Sequence, residues 1–133
     1  MGKVTPFLMF QHGNAEVAMT FYTSLIAESE IINISRYGNG QSGDEGSVMK
    51  ATFSLKGQEF MCIDSNVAHQ FTFTPSFSIY IKCDTEEEIR HLYENLVKDG
   101  QPLMPLDNYG FSQQFGWVND RFGVSWQLDF PNL

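Results

Sequence analysis

The chain repeats itself. "FLMF" at 7–10 lies over "FSIY" at 77–80 at an offset of 70, and "FYTSL" at 21–25 lies over "LYENL" at 92–96 at 71. "GQEFMCID" at 57–64 lies over "GVSWQLDF" at 123–130 at 66. Similarity that returns in the same order, with loops absorbing the differences in offset, marks two copies of one supersecondary unit. A chain built this way has to bury two similar half-cores, which excludes most architectures of its length.

Local signals define the unit. "TPFLMF" (5–10) is a short apolar run with Pro6 near its start, where a missing donor is tolerable, and reads as a buried strand. A helix follows, with Asn14 as its cap, Glu16 at its positive end, and Ala18, Phe21, Tyr22, Leu25 and Ile26 on one apolar face. Strands are expected at 30–38, 47–55 and 59–64, separated by the Gly-rich "GNGQSGDEG" and a tighter "KGQ" turn.

The second copy opens with a strand at "FSIYIKCD" (77–84). Asp84 or Thr85 caps the next helix, with Glu87 or Glu88 closing a capping box, and Ile89, Leu92, Tyr93, Leu96 and Val97 form its apolar face. Gly100 ends it as a C′ residue. Strands at 101–106, 111–119 and 124–130 complete the unit, the last two joined by the turn "NDRFG". The chain is thus expected to be one α+β domain of two tandem βαβββ modules, at about 1–66 and 75–133.

Charge and composition restrict the partners. A net charge of −8 over 133 residues opposes binding to nucleic acid or to an anionic membrane surface, both of which need a basic face. "MGKVTPF" has no apolar leader, and no run approaches the roughly 18 apolar residues that cross a bilayer, so a cytoplasmic protein is expected. Cys62 and Cys83 lie in apolar strand-like runs without CxxC spacing and read as buried thiols of a reducing compartment. Gly38, Gly40, Gly43 and Gly46 surround Asp44 and Glu45, which would repel phosphate, so that loop reads as a connector or lid.

Paired βαβββ modules, the "AMTFYTSL" helix and the final "DRFGVSWQL" hairpin resemble the vicinal oxygen chelate superfamily, which includes glyoxalase I, bleomycin-resistance proteins and extradiol dioxygenases. The segments "HGNAEVAMTFY", "GQEFMCID", "SFSIYIKCDTEEEIRHLYENL" and "FGWVNDRFGVSWQL" resemble its PhnB-like branch, often labelled 3-demethylubiquinone-9 3-methyltransferase. The resemblance implies a curved mixed β-sheet cup with helices outside (the glyoxalase/bleomycin resistance-like fold), and a homodimer, as in many relatives. Unpaired edge strands give a physical reason for that association. The methyltransferase label lacks support in the residues. The first strand leads through "QHGNAE" into a helix without the Gly-rich turn that receives a nucleotide-like cofactor.

In metal-using members of the superfamily, four inward side chains from the opening and closing strands of both modules meet in the cup. The family patterns land these positions on Phe7 and Gln127, and the repeat adds Phe77 and Met61. One amide and one thioether do not replace the imidazole and carboxylate ligands that Zn²⁺, Ni²⁺, Mn²⁺ or Fe²⁺ require. Asp129 or Asp64, further along the same strand faces, are the fallback ligands. The expectation is therefore a metal-independent apolar pocket with one neutral amide in its wall, taking a small-molecule ligand and no cofactor. Two alternatives stand beside it: a metal-dependent lyase, isomerase or dioxygenase, and a structural or regulatory dimeric module whose core is filled, with Gln127 bonded to backbone or to buried water.

"LDNYGFSQQFGW" precedes the turn that delivers Gln127, and Gly110 and Gly116 permit sharp geometry there. Tyr109, Phe111, Gln114 and Trp117 are expected in the pocket wall or its lid, or else in a dimer contact, with Gln113 beside them. His12 reads as a turn residue unless Glu16 polarises it, His91 as exposed, and His69 as part of the connector. Glu86, Glu87 and Glu88 sit where a helix dipole favours acids.

Overall fold

In the computed structural model, which describes residues 2–133, the chain divides into two units, the first ending at His69 and the second beginning at Gln70. The first contains β1 (Phe7–Phe10), α1 (Ala15–Leu25), β2 (Ser29–Arg36), β3 (Val48–Leu55) and β4 (Gln58–Asp64). The second contains β5 (Ser78–Lys82), α2 (Glu86–Val97), β6 (Gln101–Asp107), β7 (Gln114–Asn119) and β8 (Ser125–Phe130). Each unit is thus the expected βαβββ series.

Both sheets share one topology. The orders are β1-β4-β3-β2 and β5-β8-β7-β6, with the opening strand parallel to the closing strand and the other pairs antiparallel. Burial alternates along the strands because one face packs under a helix. In the first unit Leu8, Phe10, Phe53, Phe60 and Cys62 are buried beside Ala15, Ala18, Met19 and Tyr22 of α1. In the second, Ile79, Ile81, Val118, Trp126 and Leu128 are buried with Ile89, Leu92 and Leu96 of α2. Phe21 and Leu25, expected on the apolar face of α1, are only half-buried, since the helix turns Met19 and Ala15 inward instead.

The helix ends are held by different means than expected. Asn14 makes no side-chain cap; Asp64 of β4 does so instead, its Oδ1 accepting the Ala15 N–H at 2.9 Å while Oδ2 accepts that of Val48 at 2.8 Å. Thr85 caps α2, accepting from the Glu88 N–H at 3.0 Å, and Glu88 reaches back to the Asp84 N–H at 2.8 Å, one residue beyond the usual box. At the far end of α2 the left-handed residue is Asp99, with φ of 61°, and not Gly100. Gly100 is needed for closeness: a Cβ there would lie 2.1 Å from the Asn119 carbonyl oxygen. Gly116 likewise serves contact rather than a bend, for its Cβ would meet the Tyr93 ring at 2.9 Å.

Asp120 organises the expected turn before β8. Its Oδ1 accepts from Phe122 N–H at 2.8 Å and Val124 N–H at 3.1 Å, and its Oδ2 from the Trp126 indole at 2.8 Å. Among the described residues no helix is long and apolar enough to cross a membrane.

Candidate ligand-binding face

The close approach of Gly116 to Tyr93 fixes which side of the second sheet faces α2. Gly116 pairs with Leu128, so their neighbours Trp117 and Gln127, also a register pair, point to the face without a helix. Tyr80 lies on the other flank of Gln127, and Lys82 lies beside Asp129. Phe115, opposite Asp129 on β7, completes this face with Ser78 and Ser125.

Nearly every polar group here has a partner. The Tyr80 phenol donates to Asp129 Oδ2 at 2.5 Å, the Trp117 indole donates to Ser125 Oγ at 2.8 Å, and the Ser78 and Ser125 hydroxyls are 2.8 Å apart. Burial, and then the bond to Asp129 and its charge, push the Tyr80 phenol up to about 12. Three groups stand apart, one of them the buried Asn119 Oδ1 opposite Ser125, which has no hydrogen-bond partner among the described residues. The half-buried Gln127 amide has no hydrogen-bond partner among the described residues. Asp129 Oδ1 is buried and also unpartnered.

The equivalent face of the first sheet is apolar at its centre. Phe7 lies opposite Met61, which in turn faces Thr52, and Met9 lies opposite Ile63. Phe7 is exposed and Met61 half-buried. Met61 and Gln127 hold equivalent positions on their closing strands, so the register makes Tyr80, 73 residues after Phe7, its counterpart. Phe77 does not hold that position. It precedes β5, is exposed, and by alternation belongs to the opposite parity from Tyr80.

The remaining expected residues divide. Trp117 joins Gln127, but Gln114 pairs with Phe130 and falls on the opposite parity of β7. Tyr109 and Phe111 stack with centroids 6.1 Å apart, and Phe111 meets Phe115 edge-on at 5.1 Å, so the loop reaches the helix-free face through Phe115. The Tyr109 hydroxyl is occupied by the Pro105 carbonyl at 2.6 Å. Asp64 does not share the face of Met61: it points to α1, as its bond to Ala15 shows. Sequence reasoning passed over Tyr80, whose signal was its alternation with Ile79 and Ile81 in "SIYIK".

Neither unit by itself brings together, among its described residues, the imidazole and carboxylate ligands that a divalent cation takes. In the first, Phe7 and Met61 offer no hard donor; in the second, Gln127 offers one amide, the Tyr80 oxygen keeps its proton toward Asp129, and Asp129 is the one carboxylate that β5, β7 and β8 place on that face. Among the described residues no three His, Cys, Asp or Glu side chains converge as metal ligands do.

His12 occupies a turn after β1 at φ of 66°. It lines an open cleft of about 200 Å³ with Gln11, Asp44, Ser65, Asn66, Val67 and Ala68. Glu16 does not polarise it, being held by Arg36 in a two-pronged ion pair of 2.5 and 2.8 Å. Cys62 and Cys83 are buried free thiols, and burial followed by the Asp64 charge pushes Cys62 up to about 12.

Two βαβββ modules, each closed by a parallel pairing of its first and last strands, define the glyoxalase/bleomycin resistance class of fold. A glyoxylase/bleomycin resistance protein/dioxygenase domain from Frankia shares it, with a TM-score of 0.68 over 99% of this chain and 93% of that one at 12% identity. The chain belongs to the family described as 3-demethylubiquinone-9 3-methyltransferase, whose model matches residues 2–129, the PhnB-like branch of the vicinal oxygen chelate superfamily. It is similar to a PhnB protein from Bacillus cereus that carries the same methyltransferase description, at 59% identity, 97% and 99% coverage and a TM-score of 0.93. Protein YjdN of Escherichia coli is 21% identical over 95% of this chain and 93% of its own length.

Proposed function

We propose that this chain is a small-molecule-binding protein that works without a metal ion and takes its guest on the helix-free face of the second sheet, around Gln127. The single observation that carries this reading is the unpartnered Gln127 amide. The Gln127 side chain is half-buried, and its amide, left open between Tyr80 and Trp117, has its donors and acceptor available to a guest. The filled-core alternative has Gln127 bonded to backbone or to buried water, and no bond to backbone is present among the described residues.

The aromatic Tyr80 and Trp117 flanking the amide suit a planar guest, with Tyr109 and Phe111 as the wall or lid beyond, reached through the buried Phe115. Methyl transfer finds no support, since neither four-stranded sheet is the doubly wound parallel type with a Gly-rich turn entering the helix. A homodimer and a cytoplasmic location accompany this reading, the first because edge strands β2 and β6 have unpaired outer edges.

Trp117 is the natural reporter, because Trp126 is fully buried. Small planar amides should quench Trp117 fluorescence and raise the melting temperature, with about 2.7 kcal/mol of added stability at 100 times the Kd. Both effects should vanish in Gln127→Leu. Near-stoichiometric Mn²⁺, Ni²⁺, Fe²⁺ or Zn²⁺ in the purified protein, lost with stability in Gln127→Ala, would overturn the metal-free reading.

A further inference from the structure

Asp129 is the most conspicuous group on the second sheet's helix-free face. It is 9% exposed, one carboxylate oxygen is held by Tyr80, and the other has no partner. A buried carboxylate oxygen without a donor is costly, and natural folds retain such groups where something else completes them. Lys82 is its register partner across the β5 and β8 pairing, yet makes no ion pair with it and stays in water. The internal cation is therefore not the missing donor.

We propose that Asp129 and Tyr80 form a recognition site for a protonated amine carried by an aromatic guest. This rests on the proposed function, since it uses the same face as Gln127, and it specifies the class of guest. Tyr80 is 56% exposed, so its phenol swings off Asp129 at the loss of one hydrogen bond. An ammonium group then supplies up to three donors to the uncovered carboxylate, and charge-assisted bonds are about twice as strong as neutral ones. The displaced Tyr80 ring and Trp117 across from Gln127 offer π faces to the aromatic body of the guest. A net charge of −8 raises the local concentration of cations around the whole chain.

The test titrates the full chain with benzylamine, benzyl alcohol and benzoate, following Trp117 fluorescence and the Tyr80 ring resonances by NMR. Benzylamine should bind at least about tenfold tighter than benzyl alcohol, with benzoate weakest, and added salt should weaken only the amine. In Asp129→Asn the preference should fall to near unity, and in Tyr80→Phe it should persist. If Asp129→Asn does not fold, benzyltrimethylammonium on the wild-type chain decides the matter. It keeps the charge but has no N–H donor, and should lose most of the advantage. Equal affinity for amine and alcohol, or a preference that survives Asp129→Asn, overturns this inference while leaving the proposed function standing. No binding by any of the three overturns both.

Discussion

Asp64 accepts the backbone N–H of Ala15 at 2.9 Å, so the last residue of β4 caps a helix that began 49 residues earlier. The carboxylate completes one orphan donor of α1 and places negative charge at its positive end, while its second oxygen fixes the start of β3 at Val48. Asp64→Ala removes two charge-assisted bonds from a buried site. It should lower unfolding free energy by about 3 kcal/mol, read as a fall in the urea midpoint at unchanged slope. Asn14→Ala should cost much less, because that side chain makes no cap bond.

The phenol of Tyr80 ionises near 12 where an unstrained tyrosine ionises near 10. The folded state thus holds a proton that the unfolded chain releases. The associated stability is present below pH 10 and lost as pH rises through 12. The Tyr80 ring resonances followed against pH should show this midpoint, and Asp129→Asn should move it down, though not to 10, because burial remains the first cause.

Cys62 should be inert in the native protein. Its thiol lies near 12 against an ordinary 9.0, so at pH 8 only about one molecule in ten thousand carries the reactive thiolate. Iodoacetamide should label it only after denaturant is added. The sign of the linkage matches Tyr80: stability associated with Cys62 is present below pH 9 and falls as pH climbs toward 12.

Gly100→Ala tests close approach rather than backbone freedom. The new methyl would sit 2.1 Å from the Asn119 carbonyl oxygen and 3.0 Å from the Asp120 backbone, neither of which is a flexible side-chain end. A loss of about 2–3 kcal/mol is expected in thermal or urea unfolding. If closeness and not φ is the constraint, Asp99→Gly should be neutral or slightly stabilising, since Asp99 holds the left-handed conformation.

Element order was legible because apolar periodicity is local: "FYTSL" and "LYENL" both carry helical spacing, and the strands alternate. Register was not. "FLMF" and "FSIY" match by letter at an offset of 70, but the hydrogen-bonded partners Met61 and Gln127 align Phe7 with Tyr80 at 73. An odd difference reverses the face, which is why Phe77 was expected where Tyr80 stands. Position along a strand decided the two aspartates in the same way: Asp129 follows Gln127 by two and shares its face, whereas Asp64 follows Met61 by three and points to α1. Gln127 itself was readable, being a polar residue among apolar ones at a position the repeat marked. Its lack of a partner depends on neighbours distant in sequence, and only the structure reveals that.

Among the described residues the opening strand of each module pairs with the closing strand and with no other strand. During synthesis this has a consequence of timing. "FLMF" leaves the ribosome first but finds no partner until "QEFMCID" has followed it, so a bare apolar ribbon waits while more than fifty residues are added. That waiting interval recurs in the second module, and it is when a nascent chain of this kind most needs a holdase.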